Sequence, residues 1–236
     1  VSGDFIGTGA TTGYTVTMDN TTSATTFNSL VIQDSSTLSY GVSTSTNYHL
    51  RLSGNTTLYY NGSLIIGTQA TPIPSSSTAK LEFVCASANQ YGLTVNAGTT
   101  FTTYGATKTA SAKLAANIIS GATSATTDIS TSWVNGDQII FPPTNRVVTQ
   151  FDTPILSANT SGTTISFTPA LSFNHETSPS TPTSSDIINL TRNVQIFGQG
   201  SGLLSTNTAY VIITGGIVSC NYTSFYYIGS SAGPSS

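Results

Sequence analysis

The feature that most narrows what this chain can fold into is a succession of very short runs in which apolar and polar residues alternate. They include Tyr14-Thr15-Val16-Thr17-Met18, Leu30-Val31-Ile32, Leu38-Ser39-Tyr40, His49-Leu50-Arg51-Leu52, Leu58-Tyr59-Tyr60, Leu64-Ile65-Ile66, Leu81-Glu82-Phe83-Val84 and Gly92-Leu93-Thr94-Val95. Gly, Asn, Ser or Asp bounds each run. A period of two puts every second side chain on one face of a strand, and β-branched and aromatic residues suit that pleated surface. Helical periodicity is nearly missing. Its best candidate, Ala110 to Ile119, has Thr, Ser and Gly flanks that suit a strand pair at least as well.

Strands this short with turns between them are compatible with a sandwich, a barrel or a β-helix. Two features favour the β-helix. The spacings are irregular, which the corners of a solenoid tolerate better than hairpins do. Units such as Ser53-Gly54-Asn55-Thr56-Thr57-Leu58 and Asn61-Gly62-Ser63-Leu64-Ile65-Ile66-Gly67 also repeat a turn-Gly-x-Leu phrase without identity. A single coil cannot bury its own inner face, so stacked coils make the core, with Leu, Ile and Val inward and Thr, Ser and Asn outward. The expectation is an all-β chain, a parallel β-helix with a small antiparallel β insertion around 110–170. Its parts are β-helical coils over 1–106, an insertion or continuation over 107–184, and further coils over 185–236. The Ser/Gly/Pro run from Gly229 to Ser236 reads as a linker or truncated edge, and the chain as a piece of something longer.

The segment from Trp133 to Gly198 carries the most distinctive order of residues. It runs Trp133-Val134-Asn135-Gly136-Asp137-Gln138-Ile139, then Gln150-Phe151-Asp152, Gly162-Thr163-Thr164-Ile165, Pro169-Ala170-Leu171, His175 and Leu190-Thr191-Arg192-Asn193-Val194-Gln195-Ile196-Phe197-Gly198. Upstream, Leu30, Ile32, Leu38, Tyr40, Gly62, Leu64, Ile66, Gly67, Thr68, Gly92, Gly98 and Gly105 fall in a second recurring order. Together they resemble the G8-domain family, extracellular or phage-encoded right-handed parallel β-helix proteins that include hyaluronan-binding and hyaluronan-degrading members. The resemblance implies a right-handed solenoid at the extracellular or virion surface. It also marks Asp137, Asp152, His175 and Arg192 as the candidate catalytic set.

Each candidate also has a structural reading. Asp137 follows Gly136, and its carboxylate can cap backbone N–H groups of that turn. His175 can fix a turn by hydrogen bonding to backbone. Arg192 can pair with Asp186, Asp137 or Asp152, a geometry that favours Arg over Lys. Glycoside cleavage usually needs two carboxyl groups across the bond, and lyase chemistry a base with a cation for the enolate. Nine Asp or Glu residues are a thin supply. Aromatic side chains offer sugar stacking instead, with Trp133, Tyr226 and Tyr227 the candidate carbohydrate-binding residues, although such aromatics also serve as packing.

Composition excludes several classes. The formal net charge is -3, and the six Lys and Arg residues (Arg51, Lys80, Lys108, Lys113, Arg146, Arg192) are dispersed, which rules out a basic stripe for nucleic acid. No run approaches the roughly 20 apolar residues of a membrane span. The two histidines have no partner at ligand spacing, and no acidic cluster suggests calcium, so neither metal nor cofactor is expected. Cys85 and Cys220 make no disulfide framework; they read as two small buried hydrophobes, or less simply as one long-range bridge. Asn20, Asn55, Asn61, Asn159 and Asn221 are candidate glycosylation sites in a secreted chain, whereas Asn189 lies within a strand pattern and is not expected to be modified.

The leading functional expectation is a non-catalytic structural or adhesive β-helical module of a larger extracellular or virion-surface protein such as a fibre. Its partners would be copies of itself or other domains of the same chain. The alternatives are a polysaccharide-degrading enzyme of hyaluronidase-like type using the four candidates above, and a non-catalytic carbohydrate-binding module.

Overall fold

The computed structural model describes residues 5–7, 13–18, 26–145, 147–177, 185–199 and 206–229. Every described element is a strand. The chain divides into two compact units, Val1–Ala106 with Arg192–Ser236, and Thr107–Thr191.

The first unit is a parallel β-solenoid. Its first coil holds β1 (Phe5–Gly7), β2 (Thr15–Met18) and β3 (Thr26–Phe27), and its second β4 (Leu30–Ile32), β5 (Thr37–Tyr40) and β6 (Tyr48–Leu52). The third holds β7 (Thr56–Leu58), β8 (Ser63–Ile66) and β9 (Ala79–Phe83), and the fourth begins with β10 (Gly92–Asn96) and β11 (Thr100–Tyr104). The second unit then intervenes, with β12 (Ser111–Lys113), β13 (Ser124–Thr126), β14 (Ile139–Ile140), β15 (Ile155–Leu156), β16 (Thr164–Thr168) and β17 (Asp186–Asn189). The fourth coil resumes with β18 (Val194–Gly198), and β19 (Tyr210–Thr214), β20 (Ile217–Asn221) and β21 (Thr223–Tyr226) make the last. Corresponding strands of successive coils pair in parallel and form three five-stranded sheets, β1-β4-β7-β10-β19, β2-β5-β8-β11-β20 and β3-β6-β9-β18-β21.

Alternation in the sequence becomes stacking in the solenoid. In the first sheet Ile32, Leu58, Val95 and Ile213 share one register position; in the second Val16, Leu38, Leu64, Phe101 and Val218 do so. In the third, Leu50, Leu81, Ile196 and Phe225 line up. The middle members are buried in one continuous core, whereas Ile213 and Phe225 in the last coil are exposed. Corners are tight enough to select glycine. Gly67 has φ +77°, and a Cβ there would lie 2.4 Å from the Tyr104 carbonyl oxygen.

Asn193 holds the point where the fourth coil is interrupted. Its Nδ2 donates to the carbonyls of Ile73, Pro74 and Ser77, and its Oδ1 accepts from Ala106 N. One side chain thus ties the last solenoid residue before the insert to the start of β18 and to the long corner between β8 and β9.

The second unit is an antiparallel insert of two small sheets, β12-β17-β14 and β13-β16-β15, around Ala112, Leu114, Ile118, Ala125, Trp133, Ile139, Phe141, Leu156, Ile165, Phe167, Leu171 and Ile187. It extends beyond the expected 110–170. The sequence pattern places residues 185–191 in further coils, but β17 pairs antiparallel with β12 and β14, so the return to the solenoid comes at Arg192. An alternating strand does not reveal its own partner, which accounts for the misplacement. A second correction concerns Cys220, which is exposed because it sits in the last coil; Cys85 is buried, and both are free thiols.

Candidate functional site

Three polar clusters stand out, two in the insert and one on the solenoid. Asp137 is buried at the turn before β14. Gly136 supplies φ +87° in that turn, and Asp137 Oδ2 accepts from Val134 N at 3.0 Å, the turn cap anticipated from sequence. The carboxylate does more than cap. Lys108 Nζ donates to Oδ1 at 2.6 Å, and Asn189 Nδ2 donates to Oδ2 at 2.8 Å. Asn189 Oδ1 in turn accepts from Thr191 N at 2.8 Å.

The second cluster joins Asp152 and His175. Asp152 accepts from Ser172 N, Phe173 N and, at 2.9 Å, His175 Nε2. The His175 ring is fully buried against Phe141, and its Nδ1 lies 3.0 Å from the Pro142 carbonyl. Burial alone would raise the Asp152 carboxyl; the bonds from His175, Ser172 and Phe173, together with the charge of His175, outweigh burial and lower it. Both ring nitrogens face oxygen acceptors, so this set fixes a turn as well as a charge.

The third cluster was not anticipated. On the outward side of the third solenoid sheet, Arg51, Glu82, Phe197 and Tyr226 share one rung, and His49, Lys80 and Gln195 the next. Glu82 accepts from His49 Nε2 at 2.6 Å, from Arg51 Nε at 2.9 Å and Nη2 at 3.3 Å, and from Gln199 Nε2 at 3.0 Å. Phe197 and Tyr226 stack with centroids 4.6 Å apart and planes within 10°. Tyr226 Oη donates to Gln195 Oε1, and its hydroxyl is pushed up to about 12 by burial, then by the Glu82 charge and by Tyr227. The signal was present in the sequence: His49-x-Arg51 and Lys80-x-Glu82 have the same parity in strands whose apolar positions, Leu50-x-Leu52 and Leu81-x-Phe83, superpose.

The structure brings Asp152 and His175 together and gives Asp137 other partners. The two carboxylates sit in separate hydrogen-bonded sets that share no residue, and both are nearly closed to solvent. Arg192 opens the returning solenoid segment, and its carbonyl accepts from Gln195 Nε2. Trp133 is corrected as a sugar-stacking residue. It is 1 % exposed, and its indole N–H donates to the Thr109 carbonyl at 2.7 Å, so the ring is core of the insert. Tyr226 and Tyr227 are half-buried and meet edge to face.

Of the candidate glycan sites, Asn55, Asn61, Asn159 and Asn221 are exposed. Asn55 Oδ1 already accepts from Tyr210 Oη and Gly92 N, and Asn159 Oδ1 from Asn135 N. Asn20 lies outside the described residues. Among the described residues no group of three or more His, Cys, Asp or Glu could hold a metal ion, and no helix is long and apolar enough to cross a membrane.

The fold and clusters define a parallel β-solenoid interrupted by an antiparallel insert with buried ionic pairs. No protein-family model matches the chain, and no curated protein matches it.

Proposed function

We propose that this chain is a non-catalytic structural or adhesive module of a larger protein exposed outside the cell or on a virion. The observation that carries this reading is how the candidate catalytic carboxylates are used. Asp137 and Asp152 are buried, and each spends both oxygens on contacts internal to the insert. A general acid or nucleophile must reach its substrate. The long inward stacks with few charges are suited to a persistent rod. The last described coil offers strand edges in β19, β20 and β21 and exposed Ile212, Ile213, Ile217 and Phe225, which suit contact with another copy or with other domains of the same chain.

Carbohydrate recognition is the second reading, favoured by the stacked Phe197 and Tyr226 beside His49, Arg51 and Lys80 on one outward face. One experiment separates the readings. The purified chain is passed over immobilised neutral and acidic polysaccharides, and each polysaccharide is then sized. The structural reading expects neither retention nor shortening. Retention that is lost in Tyr226→Ala, without shortening, replaces it with the binding module. Shortening that disappears in Asp137→Asn or Asp152→Asn overturns both in favour of an enzyme.

A further inference from the structure

We propose that Lys108 and Asn189 are the partners of an intramolecular isopeptide bond whose formation is promoted by Asp137. The sheet β12-β17-β14 positions all three. Asn189 ends the central strand β17; its N–H donates to the Ala110 carbonyl on one side, and it pairs with Ile139 on the other. Lys108 lies two residues before Ala110, and Asp137 two residues before Ile139. The extensions of both flanking strands therefore deliver their side chains to the same end of β17.

The contacts have the polarity that amide formation needs. Amine and amide bond to opposite oxygens of one carboxylate, Lys108 Nζ to Oδ1 at 2.6 Å and Asn189 Nδ2 to Oδ2 at 2.8 Å. The third participant, the Asn189 carbonyl oxygen, accepts from Thr191 N at 2.8 Å, so a backbone donor is already aimed where negative charge would develop. Solvent is held off: the Lys108 and Asp137 side chains are 12 % and 3 % exposed, and Asn189 is 1 % exposed. Holding the amine and the amide on one carboxylate, away from water, replaces an improbable encounter with an intramolecular one. An ion pair alone would leave the desolvation of two charges only partly offset. Conversion to an amide removes the lysine charge altogether.

The step balances without an oxidant or cofactor. Asp137 Oδ1 takes a proton from Nζ, and the freed lone pair forms the Nζ–Cγ bond to Asn189. The C=O pair moves onto the oxygen held by Thr191 N–H. Its return breaks Cγ–Nδ2, while Asp137 passes a proton to the departing nitrogen. Nζ gives up two protons in all; both leave with the nitrogen as ammonium, and Asp137 ends as the carboxylate it began as. The product ties together the two ends of the insert, which runs from Thr107 to Thr191. Tension along the chain would then cross the staple and leave the insert's strands unloaded.

The intact mass of the full chain is the test. The wild type is expected to weigh one ammonia less than its sequence, and a digest should yield the peptide containing Lys108 joined to the one containing Asn189. Lys108→Arg, whose fold is checked by Trp133 fluorescence, should show the full sequence mass and slower migration on a boiled denaturing gel. Asp137→Asn should slow or abolish the mass loss. An unaltered wild-type mass overturns the proposal. So does loss of water instead of ammonia, which would join Lys108 to Asp137, and so does ammonia loss that maps to Asn61-Gly62 or Asn135-Gly136.

Discussion

Acid should weaken the solenoid first at Glu82. This carboxylate is 6 % exposed and takes hydrogen bonds from His49, Arg51 and Gln199. Burial by itself would push its carboxyl up; the bonds from His49, Arg51 and Gln199 and the Arg51 charge outweigh burial and hold it at about 2, against an ordinary 4.5. A carboxyl that binds its proton more weakly when folded contributes fully above its unfolded value, and that contribution drains away as pH falls through the folded one. Here the window runs from 4.5 down to about 2. At about 1.4 kcal/mol per pH unit, it corresponds to about 3 kcal/mol. Water lowers that figure, because the Arg51 side chain is 25 % exposed and keeps part of its solvation when its partner is neutral. Glu82→Gln should therefore cost about 2 kcal/mol at neutral pH and remove this share of the acid sensitivity. Hydrogen exchange of the segments 48–52 and 79–83, measured at a series of pH values for wild type and variant, reads the effect where it arises. The reasoning is refuted if the two proteins differ by the same amount at both ends of the window, since that gap would owe nothing to ionisation.

The other expected outcomes can be checked by unfolding and exchange. Trp133 is the only Trp, so its fluorescence follows the insert; Trp133→Ala should cost about 3–5 kcal/mol in denaturant unfolding followed by circular dichroism, by emptying a core site and orphaning the Thr109 carbonyl. Asp152→Asn should make the Trp133-monitored transition less sensitive to acid, because the lowered carboxyl stabilises the wild type above the ordinary carboxylate range and loses that contribution as pH falls through its folded value. Asn193→Ala removes bonds to three carbonyls and one N–H, and should cost about 2–4 kcal/mol, seen as faster exchange in 67–78. Gly92→Ala would place a Cβ 2.1 Å from the Tyr210 carbonyl oxygen, so protection should fall in β19 before β7.

The solenoid was legible because its signal is local. Leu38-x-Tyr40, Leu50-x-Leu52 and Leu64-x-Ile66 each declare an inward face without reference to any partner, and stacking simply repeats that face. The insert was legible only as an interruption. Its strands are as short as two residues, Ile139–Ile140 and Ile155–Leu156, and two residues cannot display a period. Which strands pair there is settled by contacts between residues far apart in sequence, so β17 looked like solenoid. The Glu82 cluster failed to register for a related reason. Arg51 and Glu82 lie 31 positions apart and become neighbours only when coils are aligned in register, a step that outward positions do not advertise. Trp133 carries both readings in the sequence, sugar stacking and packing, because residue type alone says nothing about which side of a strand an aromatic occupies; its burial decides for packing.

The insert also gives the buried groups Asp137, Asp152 and His175 work to do in folding. A small unit buries a smaller fraction of its surface and has little apolar area with which to specify register. Buried polar sets supply the missing specification, because a shifted strand would leave a charge unpaired, at a cost of about 3–5 kcal/mol. Asp137 joins the approaches to β12 and β14 with the end of β17, and Asp152 joins the Phe141 bridge to the turn carrying Ser172, Phe173 and His175. Each set therefore fixes a place where sequence-distant segments must meet, and that is where antiparallel pairing is least determined by local pattern. Ionisable groups gathered in a buried setting are the mark of an active site, but the same gathering arises wherever a small β unit must select one pairing among several. The low solvent access of Asp137, Asp152 and His175 is what a role in selecting strand pairing requires.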